Sequence, residues 1–208
     1  MPATIYTPWG YSVESLPALM TVAEFHAATG NKYIDSSQEQ IEAAIDAASA
    51  AVRDLCGWHV APALSCTATI TAGDELTGER SRIIALPAAY VSGIISITED
   101  GAELSAGEFA AMQNGLIRRT CFKAWTNTWG GVVVEYVAGF DAAAVPSLIN
   151  AVTNVIEAAL SVPYGIASET AGGISVSYST QAAATAAQAA YLMRPALNRY
   201  KVVSSYAT

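Results

Sequence analysis

Ser36-Ser37-Gln38-Glu39-Gln40-Ile41-Glu42-Ala43-Ala44-Ile45-Asp46-Ala47-Ala48-Ser49, closing on Leu55-Cys56-Gly57-Trp58, is the stretch whose period decides the fold. Ile41, Ala44, Ile45, Ala48, Val52 and Leu55 recur at three- and four-residue steps, which places them on one face of a helix. Glu39, Glu42, Asp46 and Arg53 take the wet side. The helix starts after Ser36 or Ser37, with Ser36 and Glu39 at capping-box spacing, and Gly57 ends it just after Cys56. Upstream, Thr21 and Glu24 repeat the box and Gly30 falls at a C′ position, so a shorter helix precedes it.

Before that helix the period is lost. Residues 1–20 hold Pro2, Pro8, Gly10 and Pro17 with Tyr6, Trp9 and Tyr11 between them. The prolines exclude a helix, and the aromatic groups are costly to leave in water. An extended N-terminal arm docked on its own body or on a neighbour is the expectation.

After Gly57 the period changes from helix to strand. Thr67, Thr69 and Thr71 alternate with Ala68 and Ile70; Gly73–Gly78 reads as a turn; Arg82–Leu86 runs into Pro87. Ile94–Thr98 is β-branched apart from Ser96, and Asp100-Gly101 is a two-residue hairpin signal. Gly115–Arg119 and Val132–Val137 complete an antiparallel module over about 64–140. Pro146 then suits the first turn of a helix running to Val162. Gly172 and Gly173 read as a hinge before a short, solitary alternating run at Ile174, Val176 and Tyr178. An alanine-rich helix with a break at Pro195 closes the chain. The expected fold class is α+β: a mainly helical bundle over 21–57, 146–162 and 165–208 with an inserted β module and extended terminal arms. Residues 21–208 are expected to form one domain.

The 208 residues carry 18 acids and 10 bases, a formal charge of −8, and only 13% of them are charged. A soluble monomer has roughly a quarter, so part of the surface is expected to meet other protein. The acidic balance argues against a general nucleic-acid or membrane binder. No uninterrupted apolar run is long enough for a transmembrane span, and the N-terminus lacks the basic and apolar regions of a secretory signal. Three cysteines, Cys56, Cys66 and Cys121, suit reduced thiols in a cytoplasm. The second half beyond residue 141 holds Glu157 and Glu169 against Arg194, Arg199 and Lys201, so its basic character is gathered at the last helix and its exit.

The groups with reactive potential each have a plainer reading. Cys56, His59 and Cys66 bring Cys-x-x-His spacing but no fourth metal ligand, and a thiol at a helix end followed by packing residues accounts for them. Ser175 within Gly-Ile-Ser-Val-Ser matches a nucleophile elbow only in part, since Ser stands where its second glycine belongs. Asp74-Glu75 and Glu99-Asp100 sit at turns, Trp125 and Trp129 are expected to cover the end of the β module, and Arg118, Arg119 and Lys123 to pair with nearby acids. No phosphate loop or dinucleotide fingerprint is present. No catalytic, cofactor or metal site is expected.

The order of these elements resembles the head-to-tail connector (adaptor) proteins of long-tailed bacteriophages. The quoted helix resembles their opening helix, and the likeness continues through Ile84-Ala85-Leu86-Pro87, Val91–Ile97, Asp100-Gly101, Asn114–Arg118, Val132–Phe140, Val145-Pro146, the Gly172–Ser179 arm and Leu197-Asn198-Arg199-Tyr200. The resemblance implies a non-enzymatic virion protein of the neck, assembled from the host cytoplasm. It implies a ring, usually of twelve copies, beneath the portal protein and above a head-closure or tail-terminator protein, with genomic DNA passing through without sequence-specific binding. Arg194, Arg199 and Lys201 are the candidate portal contacts. Competing readings are a head-closure or tail-completion protein and, from another class, a small hydrolase using Ser175 or the Cys56/His59 pair.

Overall fold

The computed structural model describes residues 4–74, 79–141, 145–161, 168–171, 174–177 and 181–202. The chain is α+β and divides into two compact units, one within residues 4–16 and 58–140, the other within 17–57 and 141–201.

The first unit is built from strands β1 (Ile5–Tyr6), β2 (Tyr11–Val13), β3 (Leu64–Ile70), β4 (Gly73–Asp74), β5 (Glu79–Arg80), β6 (Ile83–Ala85), β7 (Val91–Glu99), β8 (Ala102–Glu103), β9 (Phe109–Ala111), β10 (Leu116–Arg119) and β11 (Val132–Ala138). Six of them form an antiparallel sheet in the order β1-β2-β3-β11-β7-β8. Its register explains the alternation read from the sequence. Tyr11, Ala68, Val134 and Ile97 lie opposite one another and are buried, whereas Ser12, Thr67, Glu135 and Ser96 form the row on the other face. A bulge opposite the Glu135–Tyr136 step leaves Ile95 as the extra residue of β7, and it is exposed. Asp100 and Gly101 both take positive φ, 50° and 80°, as the expected two-residue turn from β7 to β8 requires.

Three departures from the sequence reading concern short strands. The N-terminal segment is extended, but over Ile5–Val13 it is a hairpin whose second strand pairs with β3. β9 carries no alternation, because Phe-Ala-Ala has too little contrast to show a period, and it becomes a strand by pairing with β10. The Gly73–Gly78 stretch expected as a turn opens with β4, which pairs with β5 in a two-residue ladder.

The second unit contains α1 (Val22–Ala28), α2 (Gln38–Cys56), α3 (Pro146–Leu160), α4 (Gln181–Leu192) and α5 (Arg194–Leu197), with β12 (Ser168–Ala171) and β13 (Ile174–Ser177) paired antiparallel. The Thr21–Glu24 capping box is complete, with Thr21 N–H donating to Glu24 Oε2 at 2.7 Å and Glu24 N–H to Thr21 Oγ1 at 3.2 Å. At α2 it is Ser37, not Ser36, that accepts from the Gln40 N–H, so the Ser36–Glu39 box is not the cap used. Gly57 ends α2 in the left-handed region at φ 75°. Ile41, Ile45, Ala48 and Val52 of α2 are buried with Leu148, Val152, Val155 and Ile156 of α3 and Ala186 and Ala190 of α4, and these three helices pack pairwise. The run at 174–177, expected to stand alone, is paired with 168–171. The C-terminal helix breaks at Met193, just ahead of the position expected, and Pro195 falls in the first turn of α5, where a missing N–H is harmless.

Gly139 lies where the backbone passes close against another segment of the first unit. Its φ is 113°, and an added Cβ would strike the Pro62 carbonyl oxygen and come within 2.8 Å of His59 Nε2. Gly139→Ala is expected to destabilise that unit by about 2–4 kcal/mol, combining left-handed strain with displacement of buried backbone. Chemical denaturation followed by tryptophan fluorescence checks it.

Candidate functional site

The end of the helical unit is held by two buried side chains, Leu197 and Tyr200. Because they turn inward, Arg194 and Arg199 are left exposed and Lys201 half-exposed. The Arg194 guanidinium lies 5.8 Å from the Tyr191 ring centre, and Arg199 lies 5.1 Å from that of Tyr200. Arg199 also donates to Ser147 Oγ, which shares a 2.7 Å hydrogen bond with Tyr200 Oη. This ties the exit of the chain to the start of α3. Burial pushes the Cys56 thiol up to about 12, with the Lys201 charge acting in the opposite direction. Among the described residues none of the three cations has a carboxylate at ion-pair distance. The three predicted site residues thus share one short segment, on which Arg199 is hydrogen-bonded to Ser147 and none of the three is ion-paired among the described residues. Gly172 and Gly173, the predicted hinge, lie outside the described residues.

The metal candidates are committed elsewhere. His59 is fully buried, with Nδ1 2.7 Å from Tyr11 Oη and Nε2 3.0 Å from the Ala138 carbonyl oxygen. A carbonyl only accepts, so in the neutral ring Nε2 carries the proton and Nδ1 accepts from the Tyr11 hydroxyl. That hydroxyl in turn accepts the His59 backbone N–H at 3.0 Å. Burial also pushes the Cys66 thiol up to about 12. Neutral thiols and an imidazole using both nitrogens are poor ligands. Among the described residues no three His, Cys, Asp or Glu side chains are grouped to hold a metal ion. Ser175 lies within strand β13, paired with Thr170, rather than on a strand-to-helix elbow.

The basic run on the sheet unit divides. Arg119 is buried and bridges Glu99 at 3.1 Å and Glu108 at 3.7 Å, and Lys123 reaches Glu108 at 3.7 Å. Arg118, one residue away on the opposite face, is exposed and has no ion-pair partner among the described residues. Glu99, read as a solvated turn residue, is instead bound by Arg119 and by the Thr126 N–H at 2.6 Å. The two tryptophans separate as well: Trp125 is buried beside Arg119, and Trp129 is 82% exposed. The feature the sequence reading missed is the apolar outer face of the sheet β6-β10-β9, signalled only by the Leu116-Ile117-Arg118 alternation.

A family model described as "Head completion protein" matches residues 18–202. The chain belongs to the head completion protein family. It is accordingly a structural protein of the phage neck, the class the sequence resemblance implied. Two solved chains share the fold. One, from the neck of an empty GTA particle computed with C6 symmetry, is 16% identical, with a TM-score of 0.58 over 93% of this head completion protein and 95% of that chain. The other, from the virion of a native gene transfer agent particle, is 17% identical, with a TM-score of 0.53 over 91% and 93%. No curated protein matches the sequence.

Two outcomes test this geometry. Tyr11→Phe removes the hydroxyl that satisfies both His59 Nδ1 and the His59 N–H, and is expected to cost about 1–3 kcal/mol of unfolding free energy. Glu108 is held below its ordinary 4.5, first by the Ser105 N–H and hydroxyl and then by the Arg119 and Lys123 charges. A lowered folded-state value means stability present above the unfolded value and lost as pH falls through the folded one. Glu108→Gln is therefore expected to flatten the acid limb of a melting-temperature profile.

Proposed function

We propose that this head completion protein is a connector subunit that closes into a ring, of about twelve copies as in the family it resembles, beneath the portal protein. The ring extends the DNA channel toward a head-closure or tail-terminator protein. The observation that carries this reading is the family match over residues 18–202, and the fold shared with a chain of a GTA particle neck supports it. The role is non-enzymatic, and residues 21–208 work as one connector domain whose C-terminal arm hinges at Gly172 and Gly173. DNA passes without sequence readout, since a net charge of −8 opposes a phosphate-gripping surface.

Arg194, Arg199 and Lys201 are the portal contacts in this reading. They gather charge of one sign on a single short segment with no internal carboxylate to neutralise it among the described residues. Such charge steers and orients a partner of opposite sign. Arg194→Glu combined with Lys201→Glu leaves the Arg199–Ser147–Tyr200 link in place. It is expected to lower attachment to portal-bearing heads by at least about tenfold, from like-charge repulsion, with an unchanged melting temperature. Attachment at the wild-type level removes these residues from the portal contact. Absence of the protein from the neck in electron micrographs of intact virions removes the connector reading.

A further inference from the structure

Strands β6, β10 and β9 form a small sheet in that order. Its inner face buries Ile84, Ile117 and Arg119. On its outer face Ile83, Arg118 and Ala110 stand in one row, and Ala85, Leu116 and Met112 in the next, the Met112 N–H donating to the Leu116 carbonyl at 2.8 Å. An antiparallel sheet facing water normally turns polar on its outer side. Here Arg118 is the single polar side chain of the six, with Ile83 44% and Met112 61% exposed. Arg119 and Lys123 are occupied by Glu99 and Glu108, whereas Arg118 has no ion-pair partner among the described residues.

The complement of such a face is a low ridge of small apolar groups carrying carboxylates, and this chain bears one. On α2, Glu39, Glu42, Asp46 and Asp54 are exposed, interleaved with Ala43, Ala47 and Ala50, which are exposed or half-exposed. Arg53, the one cation of that helix, is turned inward and donates to the Pro17 carbonyl. Alanine between the acids lets a helix lie close on a sheet, the ordinary way two layers pack. A lone arginine among Ile, Leu and Met lacks the row of cations that tracks a phosphate backbone, so protein fits this face better than DNA.

We propose that the outer face of the β6-β10-β9 sheet receives α2 of a second copy of this chain, with Arg118 meeting the neighbour's Glu42 and Asp46. The proposal rests on the ring reading, because a closed head-to-tail ring needs two different, mutually complementary surfaces on every subunit. The test uses assembled particles containing the full chain with Cys121→Ser, which removes the exposed native thiol, and with Met112→Cys and Ala47→Cys added together. Oxidation is expected to give a ladder of disulfide-linked multimers that either introduced thiol alone does not give. Arg118→Glu is expected to lower incorporation at least about tenfold, and Glu42→Arg with Asp46→Arg in the same chain to restore it. Full incorporation with no ladder, or cross-linking of the thiol placed at position 112 to a different neck protein, overturns the proposal and leaves the ring reading standing. Failure of the otherwise wild-type Cys121→Ser chain to enter particles overturns both.

Discussion

The imidazole of His59 is the constraint from which the sheet unit follows. Each of its bonds has a forced direction. The Ala138 carbonyl takes the Nε2 proton, the bare Nδ1 takes the Tyr11 hydroxyl proton, and the same hydroxyl takes the His59 backbone N–H. One ring thereby ties the N-terminal strand to the residue that closes β11, far away in sequence. It also explains why the next position is glycine: with Nε2 in bonding distance of residue 138 and the Pro62 carbonyl alongside, residue 139 has no room for a side chain. Loss of any member leaves a buried polar group unpaired, which is costlier than the bond itself is favourable.

The same imidazole shows why local pattern was a partial guide. In the sequence His59 stands three residues after Cys56, and spacing of that kind suggests a ligand pair. Its real partner, Tyr11, lies within a proline-interrupted segment that offers no period to read, and no local rule links positions 48 residues apart. Where the determinants are local, the sequence spoke clearly. The Thr21–Glu24 box, the Gly57 stop, the Asp100-Gly101 turn and the alternation of β3 and β11 are all set by neighbours within a few residues. Ser36 and Ser37 were indistinguishable because each carries a capping hydroxyl, and only the backbone direction selects Ser37. β1, β2 and β9 are strands because a partner strand is present, which is a tertiary fact.

The candidate site divides along the same line. That Arg194, Arg199 and Lys201 share a segment is visible in the sequence. That Leu197 and Tyr200 turn inward and leave Arg194 and Arg199 on the outside is not, since it depends on the break at Met193. The Arg118-Arg119 pair is sharper still. Adjacent residues on a strand face opposite ways, so one arginine closes a buried network with Glu99 and Glu108 and the other stands in an apolar field. Reading them together as a basic cluster merges two different roles.

Charge economy joins these points. A chain in which 13% of residues are charged must leave apolar groups on its surface, and they are not scattered evenly. Single exposed apolar side chains are ordinary. A face in which five of six neighbouring side chains are apolar, around a cation with no ion-pair partner among the described residues, is a different object, because water solvates it poorly. Meanwhile the Cys56 and Cys66 thiols are kept neutral by burial and both nitrogens of His59 are engaged, while Cys121 is exposed. In the connector role proposed above, the apolar face around Arg118 is where contacts with neighbouring subunits are made.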